Sequence, residues 1–170
     1  LYALLSAGLL GMTITGDMFN LYVFLEIASI SGYGLIALGG DKSVMASFRY
    51  LLLGTIAASF YLLAVAYMYS ITGTLNMADM AMLLAAHKNS PNVFIAVSML
   101  IIAFGIKMAL FPLHGWQPDA YTYAHPAAAP LIAGLMSKAP ALAMLRYMFY
   151  IIGVDSPYVA KALTVIGFLG

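Results

Sequence analysis

Long apolar stretches alternate along this chain with short clusters of Gly, Pro, Asp and Asn. Four stretches, at roughly 18–39, 47–71, 93–113 and 127–152, reach the length of a bilayer span, and partial ones lie at 1–15 and 158–170. A spanning helix needs about 20 mostly apolar residues, whereas a membrane barrel strand needs about 10 with alternating polarity. These runs are continuous rather than alternating, so they predict helices. The clusters between them read as connections: Gly16-Asp17, Gly39 to Ser43, 72–92, Leu113 to Pro126, and Gly153 to Pro157. The 72–92 connection carries Leu75 to Ala86 with Asn76 and Asp79 inside it. It reads equally as a short interfacial helix or as a surface loop. The fold expected is all-α, a polytopic transmembrane bundle occupying residues 1–170 as one domain. Both ends fall within apolar runs, with no Met start and no basic signal-peptide region. The chain therefore reads as an internal piece of a longer protein.

Composition points the same way. Of 170 residues, 64% are hydrophobic and 8% charged, with mean hydropathy +0.99. A soluble domain carries about 25% charged residues, so seven Lys and Arg with six Asp and Glu cannot solvate a globule. The lipid bilayer is the expected surrounding. The net charge of +1 gives no sign of a nucleic-acid partner. Cysteine is absent, which excludes thiolate-held iron–sulfur clusters and disulfides from this chain. Lys42 and Arg49 fall on one side of the predicted membrane and Lys88 and Lys161 on the other, so the distribution of basic residues leaves the orientation open.

Against this background the ionisable residues inside the runs carry the chemistry. A charged group near the bilayer centre costs at least ~2.5–3.5 kcal/mol and marks a functional position by default. Glu26, Lys107 and Lys138 lie well inside three different runs. One Glu–Lys pair alone would read as a structural ion pair. Three groups on three helices, with one lysine lacking an acid, favour a relay. Desolvation works against a charged lysine and a neighbouring carboxylate restores it, so such a group exchanges its proton when its partner moves. Tyr22, Glu26, Ser29 and Tyr33 are spaced i, i+4, i+7, i+11 and share one helix face. That face belongs in the bundle interior. Arg49 and Arg146 lie near the ends of their runs and read as side chains snorkelling to the headgroups. Pro112 removes a backbone donor and frees the carbonyl of Met108, next to Lys107. Transporters use such broken helices at ion sites, though an ordinary proline kink gives the same pattern. Ala28 with Gly32, and Ala139 with Ala143, make small-xxx-small pairs suited to close helix contact.

The segment from Phe104 to Ala120 then becomes recognisable. It reads Phe-Gly-Ile-Lys-Met-Ala-Leu-Phe-Pro-Leu-His-Gly-Trp-Gln-Pro-Asp-Ala, the pattern K-x-x-x-x-P-L-H-x-W-x-P-D-A. It resembles the signature of the antiporter-like subunits of respiratory complex I, of Mrp sodium/proton antiporters and of membrane-bound hydrogenases. Asp17 to Glu26 resembles that family's glutamate helix, and Gly134 to Lys138 its central-lysine helix. The resemblance implies one five-helix repeat of a longer subunit that has a second, inverted one, and a broken helix near Pro112. It also implies Glu26 as a switch glutamate, Lys107 as its broken-helix partner and Lys138 as a relay lysine, with Tyr22, His114, Asp119 and His125 in support. His125-Pro126 stands where relatives often have Pro-Thr-Pro, so the role of His125 departs from the pattern.

The activity implied is proton or sodium translocation within a multisubunit respiratory complex, of complex I or hydrogenase type. An Mrp-type Na+/H+ antiporter not coupled to redox chemistry is the alternative. Redox centres and cofactors would sit in other membrane subunits, with none in this chain, and the setting would be the multi-pass prokaryotic cell membrane. Two readings from other classes compete. A haem protein would need His87, His114 and His125 as ligands, all in or near loops, and a helical scaffold would need no ion path at all.

Overall fold

The computed structural model describes residues 1–87, 90–153 and 157–169; Lys88 and part of the last connection, 154–156, lie outside these. The described residues are mostly helical and form no strand. Its elements are α1 (Tyr2–Ile14), α2 (Met18–Ala37), α3 (Asp41–Thr72), α4 (Met77–Leu84), α5 (Pro91–Lys107), α6 (Gln117–Tyr123), α7 (Ala129–Leu131), α8 (Lys138–Arg146) and α9 (Pro157–Leu169). Two wider π-helical segments, Ile132–Met136 and Tyr147–Ile152, precede and follow α8.

The loop chemistry read from sequence sets several of these boundaries. Asp17 caps α2 by accepting the Asn20 N–H at 2.8 Å. Gly73 adopts φ +68°, the left-handed conformation that closes α3. The 72–92 connection resolves to a helix: Asn76 caps α4 through the Ala78 N–H at 2.9 Å. That helix is strapped to the start of α2 by Met18 N–H to Leu75 O and Met77 N–H to Gly16 O, both 2.9 Å.

Two helices among the described residues are long and apolar enough to cross a membrane, α2 with 20 residues and α3 with 32. Of the four full spans expected, two are therefore clear by length and composition. The run at 93–113 stops as a helix at Lys107, the last of the 17 residues of α5. The run at 127–152 is divided. Pro130 and Pro140 fall in the first turns of α7 and α8, where a missing N–H has no intrahelical partner. The backbone stays helical across both prolines, and the wider π-helical turns lie between and beyond them.

Small residues bring the helices together. Gly8 of α1 lies against the backbone of Ala28, where an added Cβ would stand 2.7 Å from the Ala28 nitrogen. Gly32, the other half of that small-xxx-small pair, faces the side chain of Met136. On α3 the buried Ala57, Ala64 and Val65 lie on one side, while Leu52 and Leu63 point outward.

Candidate functional site

Lys107 is the last residue of α5, and the backbone after it explains why. The Ala109 N–H donates to Ile106 O at 3.2 Å and the Leu110 N–H to Gly105 O at 2.8 Å. With Ala109 at φ +58°, this is a Schellman stop, in which a left-handed residue folds the chain back over the last turn. The Trp116 indole N–H adds a bond to Ile106 O at 2.7 Å. The break expected near Pro112 therefore falls three to four residues earlier, at Met108–Ala109, and Pro112 lies exposed in the following turns. Proline cannot explain that stop; a left-handed alanine does. The break also leaves a lysine at the negative end of the helix dipole, where a cation is favoured.

Lys107 is 2% exposed. Its Nζ donates to Ser29 Oγ at 2.6 Å, to Glu26 Oε1 at 3.3 Å and to Tyr33 Oη at 3.4 Å. Three of the four stripe residues on α2 thus converge on the ammonium. The fourth, Tyr22, turns aside and stacks on Tyr61 with ring centroids 6.2 Å apart. Beyond Tyr33 the site continues through Tyr50, which the sequence did not single out, and Trp116 of the signature segment. Tyr33 stands edge-on to Tyr50 at 4.7 Å, and Tyr50 stacks on Trp116 at 3.8 Å. One aromatic stack therefore joins the residue that ties down the helix break to the residues around the ammonium. Gly54 of α3 lies over the same point, where a Cβ would meet the Tyr33 hydroxyl and stand 3.4 Å from Lys107 Nζ. A cavity of about 10 Å³ beside Lys107, bordered by Ser29, Tyr50, Leu9, Met136 and Pro140, is at the threshold for one water.

Lys138 does not join this cluster. It is exposed on the surface of the described chain and donates to Ala133 O at 2.8 Å and Ser137 Oγ at 3.0 Å. It lines an open apolar cavity of about 410 Å³ with Ser6, Leu9 and Thr13. The described residues bring Glu26 and Lys107 into contact and leave Lys138 outside that contact. The wider π-helical turn before α8 shifts the helical phase, so that Met136 rather than Lys138 points towards Lys107. Leu9 borders both cavities and stands between them.

The supporting residues scatter. The ring of His114 lies against Phe111 at 5.7 Å, and its Nδ1 is buried without a partner among the described residues. His125 is exposed and its Nδ1 accepts from the Ala127 N–H at 3.2 Å. Asp119 pairs with Arg49 at 2.7 Å, a largely exposed bridge that joins α6 to α3. Arg49 has a carboxylate partner rather than only headgroups. Arg146 is corrected similarly: it donates to Thr13 O at 2.9 Å and Thr15 O at 3.0 Å, closing the end of α1. His87 and His114 lie beyond opposite ends of α5, which spans about 26 Å. These two histidines therefore do not share one site.

An apolar helical bundle with a largely buried ion pair beside a helix break defines the class, a polytopic membrane protein. The chain belongs to the NADH:quinone oxidoreductase/Mrp antiporter transmembrane family, whose pattern matches residues 15–170. It is 50% identical over 169 residues to NADH-quinone oxidoreductase subunit N of Desulforudis audaxviator, covering 99% of this chain and 34% of that protein. It is 38% identical over 155 residues to a Na(+)/H(+) antiporter subunit of Alkalihalophilus pseudofirmus, covering 91% of this chain and 31% of that one. The fold matches a chain of an archaeal membrane-bound sulfane sulfur reductase with TM-score 0.91 at 38% identity, covering 99% of this chain and 35% of that chain. The chain spans about a third of the length of these relatives.

Proposed function

We propose that this chain is part of a proton- or sodium-translocating, antiporter-like subunit of a multisubunit respiratory complex in a prokaryotic cell membrane. In this reading it forms one five-helix repeat, and redox chemistry belongs to partner subunits. The observation that carries the proposal is the lysine ammonium at the end of a broken helix, out of water and held by Glu26, Ser29 and Tyr33.

A buried ammonium is retained only while an anion stands beside it. Movement of the Glu26 carboxylate, or its protonation, removes that support and releases the Lys107 proton. Lys138, beyond Leu9 and Met136, is the next basic group available to take it. A single water beside Lys107 and a displaced Met136 would join the two lysines. A further ionisable site for exit would come from outside this chain. The similarity to the Na(+)/H(+) antiporter relative supports a second reading, an Mrp-type antiporter without redox coupling. The greater identity to the NADH-quinone oxidoreductase relative favours the first.

The test is ion uptake into vesicles carrying the intact complex. Lys107→Ala and Lys138→Ala should each remove most translocation, since alanine can neither accept nor release a proton. Glu26→Gln should impair it by leaving the ammonium without its counter-charge, while Arg49→Ala should do much less. Normal pumping by Glu26→Gln beside severe loss in Arg49→Ala would place the relay on the wrong residues.

A further inference from the structure

A second charged site lies at the other end of the bundle and takes no part in the ion pair. Arg146 borders an open cavity of about 620 Å³ together with Gly16, Asn76, Ala78, Ala81 and Tyr150. Among the described residues that line it, Arg146 alone is charged. The ion pairs among the described residues are Arg49–Asp119 and Lys107–Glu26, so Arg146 has no carboxylate partner there. Its contacts to α1 are to neutral carbonyls, through the two terminal nitrogens, and among the described residues Nε forms no bond. A guanidinium has five N–H donors, so among the described residues both spare donors and an unpaired charge remain.

The place of the cavity tells what would balance that charge. It sits where α1 ends, α2 begins and α3 ends, beside the short α4, which is the level at which the spans meet the headgroups. The lining is otherwise mostly apolar, with Met77, Ala78, Ala81 and Ile151, and Tyr150 at its edge is 79% exposed. Tyrosines favour that level of a bilayer, and basic pockets between membrane helices receive lipid phosphates. With no acid among the described lining residues, a zwitterionic headgroup would bring an ammonium that finds no partner there. We infer that this cavity binds the phosphodiester of an anionic phospholipid through Arg146. The site is independent of the translocation reading above.

The test uses the full-length protein in its purified complex, with native mass spectrometry of retained lipid after titration with phosphatidylglycerol, phosphatidylcholine or inorganic phosphate. The wild type should retain phosphatidylglycerol several-fold over phosphatidylcholine, because both bring the phosphodiester but only phosphatidylcholine brings an ammonium that offsets its charge beside Arg146. Arg146→Gln should abolish that preference. Because Arg146→Gln also loosens the end of α1, Ala81→Phe provides a second arm. It fills the cavity, leaves the contacts of Arg146 to α1 in place, and should lower phosphatidylglycerol retention by a similar factor. A photoreactive side chain substituted for Tyr150 should capture lipid. Equal retention of the two lipids, competition by inorganic phosphate at the same concentration, unchanged retention in Ala81→Phe, or capture of protein at position 150 would each overturn the assignment.

Discussion

Replacing Gly54 by alanine tests the site without touching an ionisable group. The added Cβ would overlap the Tyr33 hydroxyl and stand 3.0 Å from Tyr33 Cζ and 3.4 Å from Lys107 Nζ. Gly→Ala inside a helix gains about 1 kcal/mol from propensity, while overpacking a filled interior costs about 1–3 kcal/mol. The net change in stability is a loss of about 0–2 kcal/mol by these two figures. The functional effect should be larger, because the strain falls on the Tyr33 hydroxyl that touches the ammonium at 3.4 Å. Moving it removes a long charge-assisted bond worth about 1 kcal/mol and disturbs the Ser29 and Glu26 contacts with it. Translocation in vesicles should therefore fall several-fold. Gly134→Ala, whose Cβ would meet nothing within 4 Å, serves as the control and should pump normally. Tyr33→Phe removes the overlapping oxygen, so the Gly54→Ala/Tyr33→Phe pair should lose less stability than the two single losses added together. Wild-type pumping by Gly54→Ala, or strict additivity in the double variant, would refute the packing argument.

Other outcomes follow from the helix break and the surface bridge. Ala109→Gly should raise thermal stability by about 1 kcal/mol, because glycine adopts the left-handed conformation without the Cβ clash; a lower melting temperature would contradict the Schellman reading. Trp116→Phe should cost about 1 kcal/mol for the lost bond to Ile106 O, and should reduce ion uptake by loosening the end of α5. Arg49→Ala and Asp119→Ala should each cost less than about 1 kcal/mol in thermal unfolding, as exposed ion pairs do. A larger loss from either would mean the bridge is buried in the assembled complex.

How much of this was legible in the chain depends on the range of the interaction responsible. Composition and run length alone required membrane helices, because so few charges cannot solvate such a surface. The i, i+4, i+7, i+11 spacing placed Glu26, Ser29 and Tyr33 on one face, since helix geometry is local. The K-x-x-x-x-P-L-H-x-W signature marked Lys107 and the segment containing its helix break. The position of that break was not legible, because the residue in the left-handed position is Ala109, which has no sequence signal of the kind glycine gives. Proline, the visible breaker, lies beyond the stop. Nor could the chain reveal that Arg146 closes α1 from 131 to 133 residues away, or that Asp119 meets Arg49. Such pairings depend on how helices cross. Lys138 and Lys107 looked equivalent as lysines deep in apolar runs. Only the tertiary structure separated them: the π-helical turn before α8 changes the phase at which the side chain leaves the helix. The same lysine chemistry is thereby buried against a carboxylate in one case and turned to an open cavity in the other.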